Sequence, residues 1–141
     1  MEKGLAFSYR IDAAKRRVLI VYRWQPISIS QWEEAMEPIF KDPSYQNGFD
    51  FLLDRTAIAK ASSTAFIKDL VAYIDHHWRT KAASRWVFVT HDIAAFGTGR
   101  MGEQLTDFPG SLRIFKSMRD ATTWLDEVSP TGPPSGPPTR R

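Results

Sequence analysis

The chain has 141 residues, of which 43% are hydrophobic and 25% charged, and it contains no cysteine. This length suits one domain with a single core, and the lack of cysteine excludes disulfides, thiolate-held zinc, iron–sulfur clusters and thiol nucleophiles. The formal charge is +3. Because Arg140 and Arg141 supply two of those positive charges, the rest of the chain is close to neutral and predicts no nucleic-acid partner.

The sequence predicts neither a membrane span nor a signal peptide. No apolar run approaches the roughly 18 to 20 residues that span a bilayer. The first residues, MEKGLAFSYRID, alternate apolar and polar side chains and lack the continuous apolar stretch of a signal peptide. We therefore expect a cytoplasmic protein with no integral membrane segment.

The chain begins with the pattern of a β-hairpin. Leu5, Phe7 and Tyr9 alternate with polar or small residues, which is typical of a half-buried strand. The polar residues 12–16 predict a turn. The continuous apolar run 18–22 predicts a second strand, covered on both faces of the sheet.

A helix is predicted after the hairpin. We expect Ser30 to cap it, with Glu33 at the capping-box position three residues later, and Asp42-Pro43 to end it. Its apolar face, at helical spacing, consists of Trp32, Ala35, Met36, Ile39 and Phe40.

The remaining elements alternate strand and helix. Strands are predicted at 49–54, 86–89 and 112–115, and helices after Ser62 or Ser63, after Asp92, and from Met118 to Val128. The resulting order, ββαβαβαβα, predicts an α/β domain over residues 1–128, with a mostly parallel five-stranded sheet and an antiparallel first strand.

Residues 129–141 differ in composition from the rest. They are rich in proline and glycine and contain no large apolar side chain, so we expect a flexible tail that takes no part in the core. Pro134 and Pro137 also have the PxxP spacing that proline-reading domains bind, and that alternative stays open.

Three segments resemble a known family. DPSYQNGFDFLLDRT (42–56), RWVFVTHDIAAFGTGRMGE (85–103) and RIFKSMRDATTWL (113–125) are similar to bacterial STAS-like, or SpoIIAA-like, domains, in order over residues 5–128. The resemblance implies a sheet built from consecutive β–α units, the fold shared by anti-sigma-factor antagonists and the lipid-binding Sec14 domain. It also implies a regulatory or protein-interaction role.

The resemblance further implies a phosphorylation switch. In such switches a serine at the start of the helix after the third strand is modified, usually within Asp-Ser-(Ser/Ala)-Gly. Ser62 lies at that place, followed by Ser63, but Ala61 and Thr64 stand where the family has Asp and Gly. The alternative is that Ser62 or Ser63 only caps the helix.

The segment 97–102 spells GxGxxG, the dinucleotide-binding pattern. That site requires the glycines in the turn directly after a strand, whereas here the helix is expected to begin already at Asp92. We therefore predict no cofactor, and interpret the glycines as a close approach to a neighbouring element, a second subunit or a ligand.

Catalytic and metal-binding patterns are weak. His76 and His77 are adjacent, so on a helix they point about 100° apart and cannot share a metal well. Asp54 and His91 fall at predicted strand ends and could face each other, but no nucleophile accompanies them. We therefore expect no metal site and no enzyme activity.

Two binding hypotheses remain. The leading one is a non-enzymatic STAS-like regulatory or protein-interaction module, with a homodimer as one form of partnership. The alternative is a carrier or sensor of a small apolar or anionic ligand, bound where the parallel strands end. Its predicted pocket consists of Asp54, Thr90, His91, Phe96 and Arg100. The basic groups at 15–17 and 79–85 are expected to be solvent-exposed loop charges.

Overall fold

Five strands and four helices alternate along the computed structural model, which describes residues 5–127. The predicted tail at 129–141 and Val128 lie outside the described residues. The element order, ββαβαβαβα, confirms the prediction. The elements are β1 (Phe7–Asp12), β2 (Arg17–Tyr22), α1 (Ile29–Lys41), β3 (Asp50–Asp54), α2 (Thr64–Thr80), β4 (Trp86–Val89), α3 (Ile93–Leu105), β5 (Leu112–Phe115) and α4 (Met118–Glu127).

The sheet has the order β1-β2-β3-β4-β5 and is mixed, as predicted. Strand β1 is antiparallel to β2, with Tyr9 opposite Ile20. The other pairings are parallel, so that Ile20 lies beside Leu53 and Leu53 beside Phe88. Each parallel connection passes through one helix, which brings the carboxyl ends of β2 to β5 to a single edge of the sheet.

Helices cover both faces of the sheet unequally. Alternate strand residues such as Ile20, Phe51 and Trp86 form the larger core cluster with α1, α2 and α3. The intervening residues, such as Leu52 and Val87, form a smaller cluster with α4. Helices α1, α2 and α3 therefore share one face, and any cleft between them lies on that side.

The start of α1 differs from the prediction. Ser28 is the cap: its Oγ accepts a hydrogen bond from the Gln31 amide at 3.2 Å, and Gln31 Oε1 accepts one from the Ile27 amide at 2.9 Å. The prediction of Ser30 with Glu33 was wrong. Both pairs have capping-box spacing, but the earlier start makes Ile29 helical and packs it against the core.

Two arginines predicted as exposed loop charges are buried. Arg85 is 1% exposed, and its Nη2 lies 2.6 Å from Asp50 Oδ2. Arg17 pairs with Asp126 at 2.8 Å. Both guanidinium groups lie on the α4 side of the sheet, where Trp124 also covers Arg85. Each charge is therefore paired with an aspartate of the same chain. A count of basic residues along the sequence cannot show this pairing.

The glycines of the GxGxxG segment lie inside α3, because Asp92 caps this helix by accepting a hydrogen bond from the Ala95 amide at 2.9 Å. A Cβ at Gly99 would lie 2.7 Å from Ile114 Cγ1. A Cβ at Gly102 would lie 3.0 Å from Leu112 Cδ2, also in β5, whereas Gly97 faces open space. The close approach is therefore to β5 of the same chain, and the alternatives of a second subunit or a ligand are not needed to explain Gly99.

In the part of the chain that the structure describes, no helix combines the length and apolar character needed to cross a membrane.

Candidate functional site

Asp54 and His91 do not form a catalytic pair. Asp54 Oδ1 accepts hydrogen bonds from the Thr56 amide at 2.9 Å and the Thr56 hydroxyl at 2.6 Å, which closes the turn after β3. His91 is exposed. Within residues 5–127 no hydrogen bond joins the two, so this edge offers no base held in place by a carboxylate.

No hydrogen bond or ion pair among residues 5–127 joins the predicted pocket residues Arg100, Phe96 and Thr90 to one another. Arg100 is exposed and lies 3.4 Å from Glu103 on the next turn of α3. Phe96 is half-buried, and the Lys116 ammonium lies 4.8 Å from the centre of its ring. Thr90 is buried. Of the five predicted residues, Thr90 alone contacts the group that organises this edge.

That group is Arg55, which the sequence reasoning missed. It follows β3 directly and is 6% exposed. Its Nη2 donates to Gln25 Oε1 and to the Lys60 carbonyl, the latter at 2.6 Å, and its Nη1 donates to Thr90 Oγ1 at 3.4 Å. One side chain thus connects the loops that follow β2, β3 and β4.

The charge of Arg55 has no counterion in the described structure. No carboxylate among residues 5–127 lies within ion-pair distance of it, and its guanidinium lies 5.8 Å from the centre of the Tyr22 ring. Burial lowers the pKa of Arg55, while Tyr22 and Asp92 act in the opposite direction. Because arginine stays protonated, the edge holds an uncompensated buried positive charge, a costly arrangement in a protein interior.

A cleft of about 290 Å³ lies beside the residues that hold this group, although Arg55 itself does not line it. We call it the rim cleft. Gln25 and Lys60, both hydrogen-bonded to Arg55, belong to its wall, and the wall contains no acidic residue. The lining residues are Gln25, Pro26, Ile27, Lys60, Ala61, Ser62, Ser63 and Phe66. Lys60 in the wall and the amino end of α2 make this cleft electropositive, and the Arg55 guanidinium lies directly behind Gln25.

The two serines in the cleft have different environments. Ser63 caps α2, since its Oγ accepts a hydrogen bond from the Phe66 amide at 3.1 Å. Ser62 is half-buried, and its hydroxyl has no hydrogen-bond partner among the described residues. Of the two serines predicted as possible caps, Ser63 is therefore the cap of α2. Ser62 is the one whose side chain is available to a ligand or to modification.

A narrow apolar cavity continues inward from the rim cleft between α2, α3 and the sheet. Its volume is about 40 Å³, room for a few water molecules. Gly99, packed against Ile114, belongs to its wall. Sites for small organic ligands measure roughly 300–1,000 Å³, so an apolar ligand of ordinary size would require α2 and α3 to separate.

Over residues 5–127, no three or more histidine and acidic side chains lie close enough together to hold a metal ion.

Comparison of the chain with protein-family models, with curated proteins and with solved structures finds no significant match. The resemblance to STAS-like domains therefore stays a prediction, and the function is argued from the geometry.

Proposed function

We propose that the protein is a non-enzymatic binding module that takes the carboxylate or phosphate of a small ligand in the rim cleft. The observation that carries the proposal is the buried guanidinium of Arg55, which has no carboxylate partner among the described residues. An anion supplied by a ligand would provide the missing counterion.

The binding mode follows from the contacts of Arg55. Its Nη2 now donates to the neutral amide oxygen of Gln25. Hydrogen bonds from a guanidinium to an anionic oxygen are shorter and stronger than those to a neutral one. An entering anion would therefore replace the Gln25 side chain, while the Lys60 carbonyl and Thr90 keep the guanidinium in position.

The regulatory role that the STAS-like resemblance implies enters the proposal through Ser62. A phosphate on Ser62 would place its charge in the same cleft and near the same guanidinium, so modification and ligand binding would compete.

A protein-interaction role has one observation in its favour. Ile27 and Ile93, at this edge of the sheet, are 72% and 88% exposed.

The test is anion binding by a charge variant. Ser62→Asp adds a carboxylate to the rim cleft, and Ser117→Asp adds one at the start of α4, on the opposite face of the sheet. We expect inorganic phosphate or acetate, at constant ionic strength, to raise the Tm of the wild type and of Ser117→Asp, because a ligand that binds only the folded state stabilises it. Ser62→Asp should not respond.

Two outcomes count against the proposal: no response of the wild type beyond that to chloride, or an equal response of Ser62→Asp. Native mass spectrometry of the gently purified protein reports co-purified ligand and oligomeric state together. It would therefore also show whether the chain forms the predicted homodimer.

Arg55→Lys keeps the positive charge but removes the paired donors, and it should bind the same anions more weakly.

A further inference from the structure

A larger groove lies between α1 and α2, near the amino ends of the parallel strands and far from Arg55 along both helices. Its volume is about 640 Å³, within the size range of small-molecule sites. We call it the interhelical groove. Its aromatic and imidazole lining consists of Phe40, Tyr45, Tyr73, His76 and His77.

Flat rings form one wall of this groove. Phe40 stacks on His77, with ring centres 5.8 Å apart and planes inclined at 24°. Phe40 also meets Tyr45 edge to face at 5.3 Å. Behind them Phe51 contacts all three rings. Such a wall presents π-faces and ring edges, the surface on which another planar ring stacks.

Two polar atoms in this wall are buried and unsatisfied. His77 is 5% exposed, and no described residue lies within hydrogen-bond distance of its Nε2. The hydroxyl of Tyr45 is likewise without a partner among residues 5–127. Buried polar groups are rarely left without partners, because each loses its hydrogen bonds to water on folding. Both residues line the interhelical groove.

Both groups are uncharged at neutral pH. Burial lowers the pKa of His77 to about 4, and the positive charges of Lys81 and His76 act in the same direction. Burial raises the pKa of the Tyr45 phenol. The wall of the groove therefore contains one buried hydroxyl donor and one buried neutral imidazole nitrogen.

The charged residues at the rim balance one another. Glu33 and Glu37 come from α1, together with Lys41, and Lys81 follows α2. Lys41 and Glu37 form an ion pair at 3.5 Å. The charged edge of the interhelical groove thus favours neither a cation nor an anion. The rim cleft near Arg55, in contrast, is electropositive and has no acidic lining residue.

We propose that the interhelical groove binds an uncharged planar heteroaromatic ring of nucleobase size, whose edge offers an acceptor to the Tyr45 hydroxyl and a complementary group to His77 Nε2. The ring stacks on the aromatic wall and, when the Tyr45 and His77 side chains turn toward the groove, supplies the two missing hydrogen bonds. The proposal is independent of anion binding at Arg55.

The test compares two tyrosines. Tyr45→Phe removes the unpaired hydroxyl, whereas the control Tyr9→Phe removes a hydroxyl that donates to Asp42 at 2.9 Å. Binding of adenine and uracil is followed by saturation-transfer NMR and titration, with naphthalene as a ring of similar shape that lacks the polar edge. Thermal unfolding of each variant is measured in parallel.

We expect the wild type to bind adenine or uracil, and naphthalene more weakly. Tyr45→Phe should weaken base binding by about tenfold, the effect of one lost hydrogen bond, while its Tm is unchanged or raised. Tyr9→Phe should lower the Tm and leave binding unchanged. Failure of both bases to bind at millimolar concentration overturns the proposal. So does equal binding of naphthalene, an unchanged affinity in Tyr45→Phe, or a lowered Tm in that variant.

Discussion

At the carboxyl ends of the strands Arg55 has hydrogen-bond partners but no counterion among the described residues. At the amino ends His77 Nε2 and the Tyr45 hydroxyl are uncharged and lack hydrogen-bond partners among the same residues. The two clefts are therefore incomplete in different ways. A missing counterion is supplied by an anion, and missing hydrogen bonds are supplied by a neutral polar edge. The two proposals therefore differ in ligand class because the two clefts lack different interactions.

The largest expected effect tests whether the charges at the amino ends are paired. Asp50→Ala would leave the Arg85 guanidinium buried without its carboxylate, and removing one partner of a buried pair costs about 3–5 kcal/mol. We expect a fall of that size in the free energy of unfolding, measured by urea denaturation.

The matched control is Asp107→Ala. Asp107 also contacts an arginine, Arg79, at 2.8 Å, but both side chains are more than half exposed. Exposed pairs contribute roughly 0–1 kcal/mol. Equal losses in the two variants would show that the Asp50–Arg85 pair is not buried in solution.

A slightly smaller effect concerns pH. The pKa of His77 is lowered from 6.5 to about 4 in the folded state, so between these values the unfolded chain binds the additional proton. The contribution of His77 to the free energy of unfolding is then at its full value above pH 6.5. It falls by about 3 kcal/mol as the pH drops toward 4. His77→Phe keeps a ring against Phe40 and should lose most of this dependence. A wild-type-like pH profile in that variant would contradict the assignment.

Next in size is the packing of α3 that closes the apolar cavity next to the rim cleft. A Cβ at Gly99 would clash with Ile114, and overpacking of this kind costs about 1–3 kcal/mol. Gly97 faces open space in the same helix, so Gly97→Ala should stabilise by up to ~1 kcal/mol through helix propensity. We expect thermal unfolding to show a lower Tm for Gly99→Ala and a higher Tm for Gly97→Ala. The same sign in both variants would mean that α3 is not packed on β5 as described.

The smallest effect separates the two serines of the rim cleft. Ser63→Ala removes the cap of α2, worth about 1 kcal/mol, whereas the Ser62 hydroxyl has no hydrogen-bond partner among the described residues. Ser62→Ala should therefore leave the Tm close to that of the wild type. A larger loss at Ser62 would indicate that it, and not Ser63, holds the start of the helix.

Local patterns predicted the elements well because their causes are local. The alternation around Tyr9, the capping position of Asp92 and the turn at 42–43 each depend on residues close in sequence. The start of α1 was predicted two residues late, because Ser28 and Ser30 both satisfy the capping pattern. The choice between them depends on the burial of Ile29 against the rest of the core.

The residues of the two proposed binding sites were predicted less well, for a reason that Arg55 and His77 illustrate. Arg55 was passed over because its partners Gln25 and Thr90 are 30 and 35 residues away. His77 was considered only as a metal ligand, and Tyr45, which contacts the same two phenylalanine rings, lies far away in sequence on the segment before β3. The sequence predicted a pocket at the carboxyl ends of the strands, and of the five residues named there only Thr90 is hydrogen-bonded to Arg55.

By itself the sequence determined the α/β class, the order ββαβαβαβα and the mixed sheet, because periodicity and capping act over a few residues. Only the tertiary structure decided which charges are paired, which polar groups lack partners and where clefts remain. Arg85 pairs with Asp50, whereas Arg55 pairs with no carboxylate among the described residues. In the sequence both are simply arginines beside a strand. Pairing and burial depend on distances between elements, which follow from how the helices pack on the sheet.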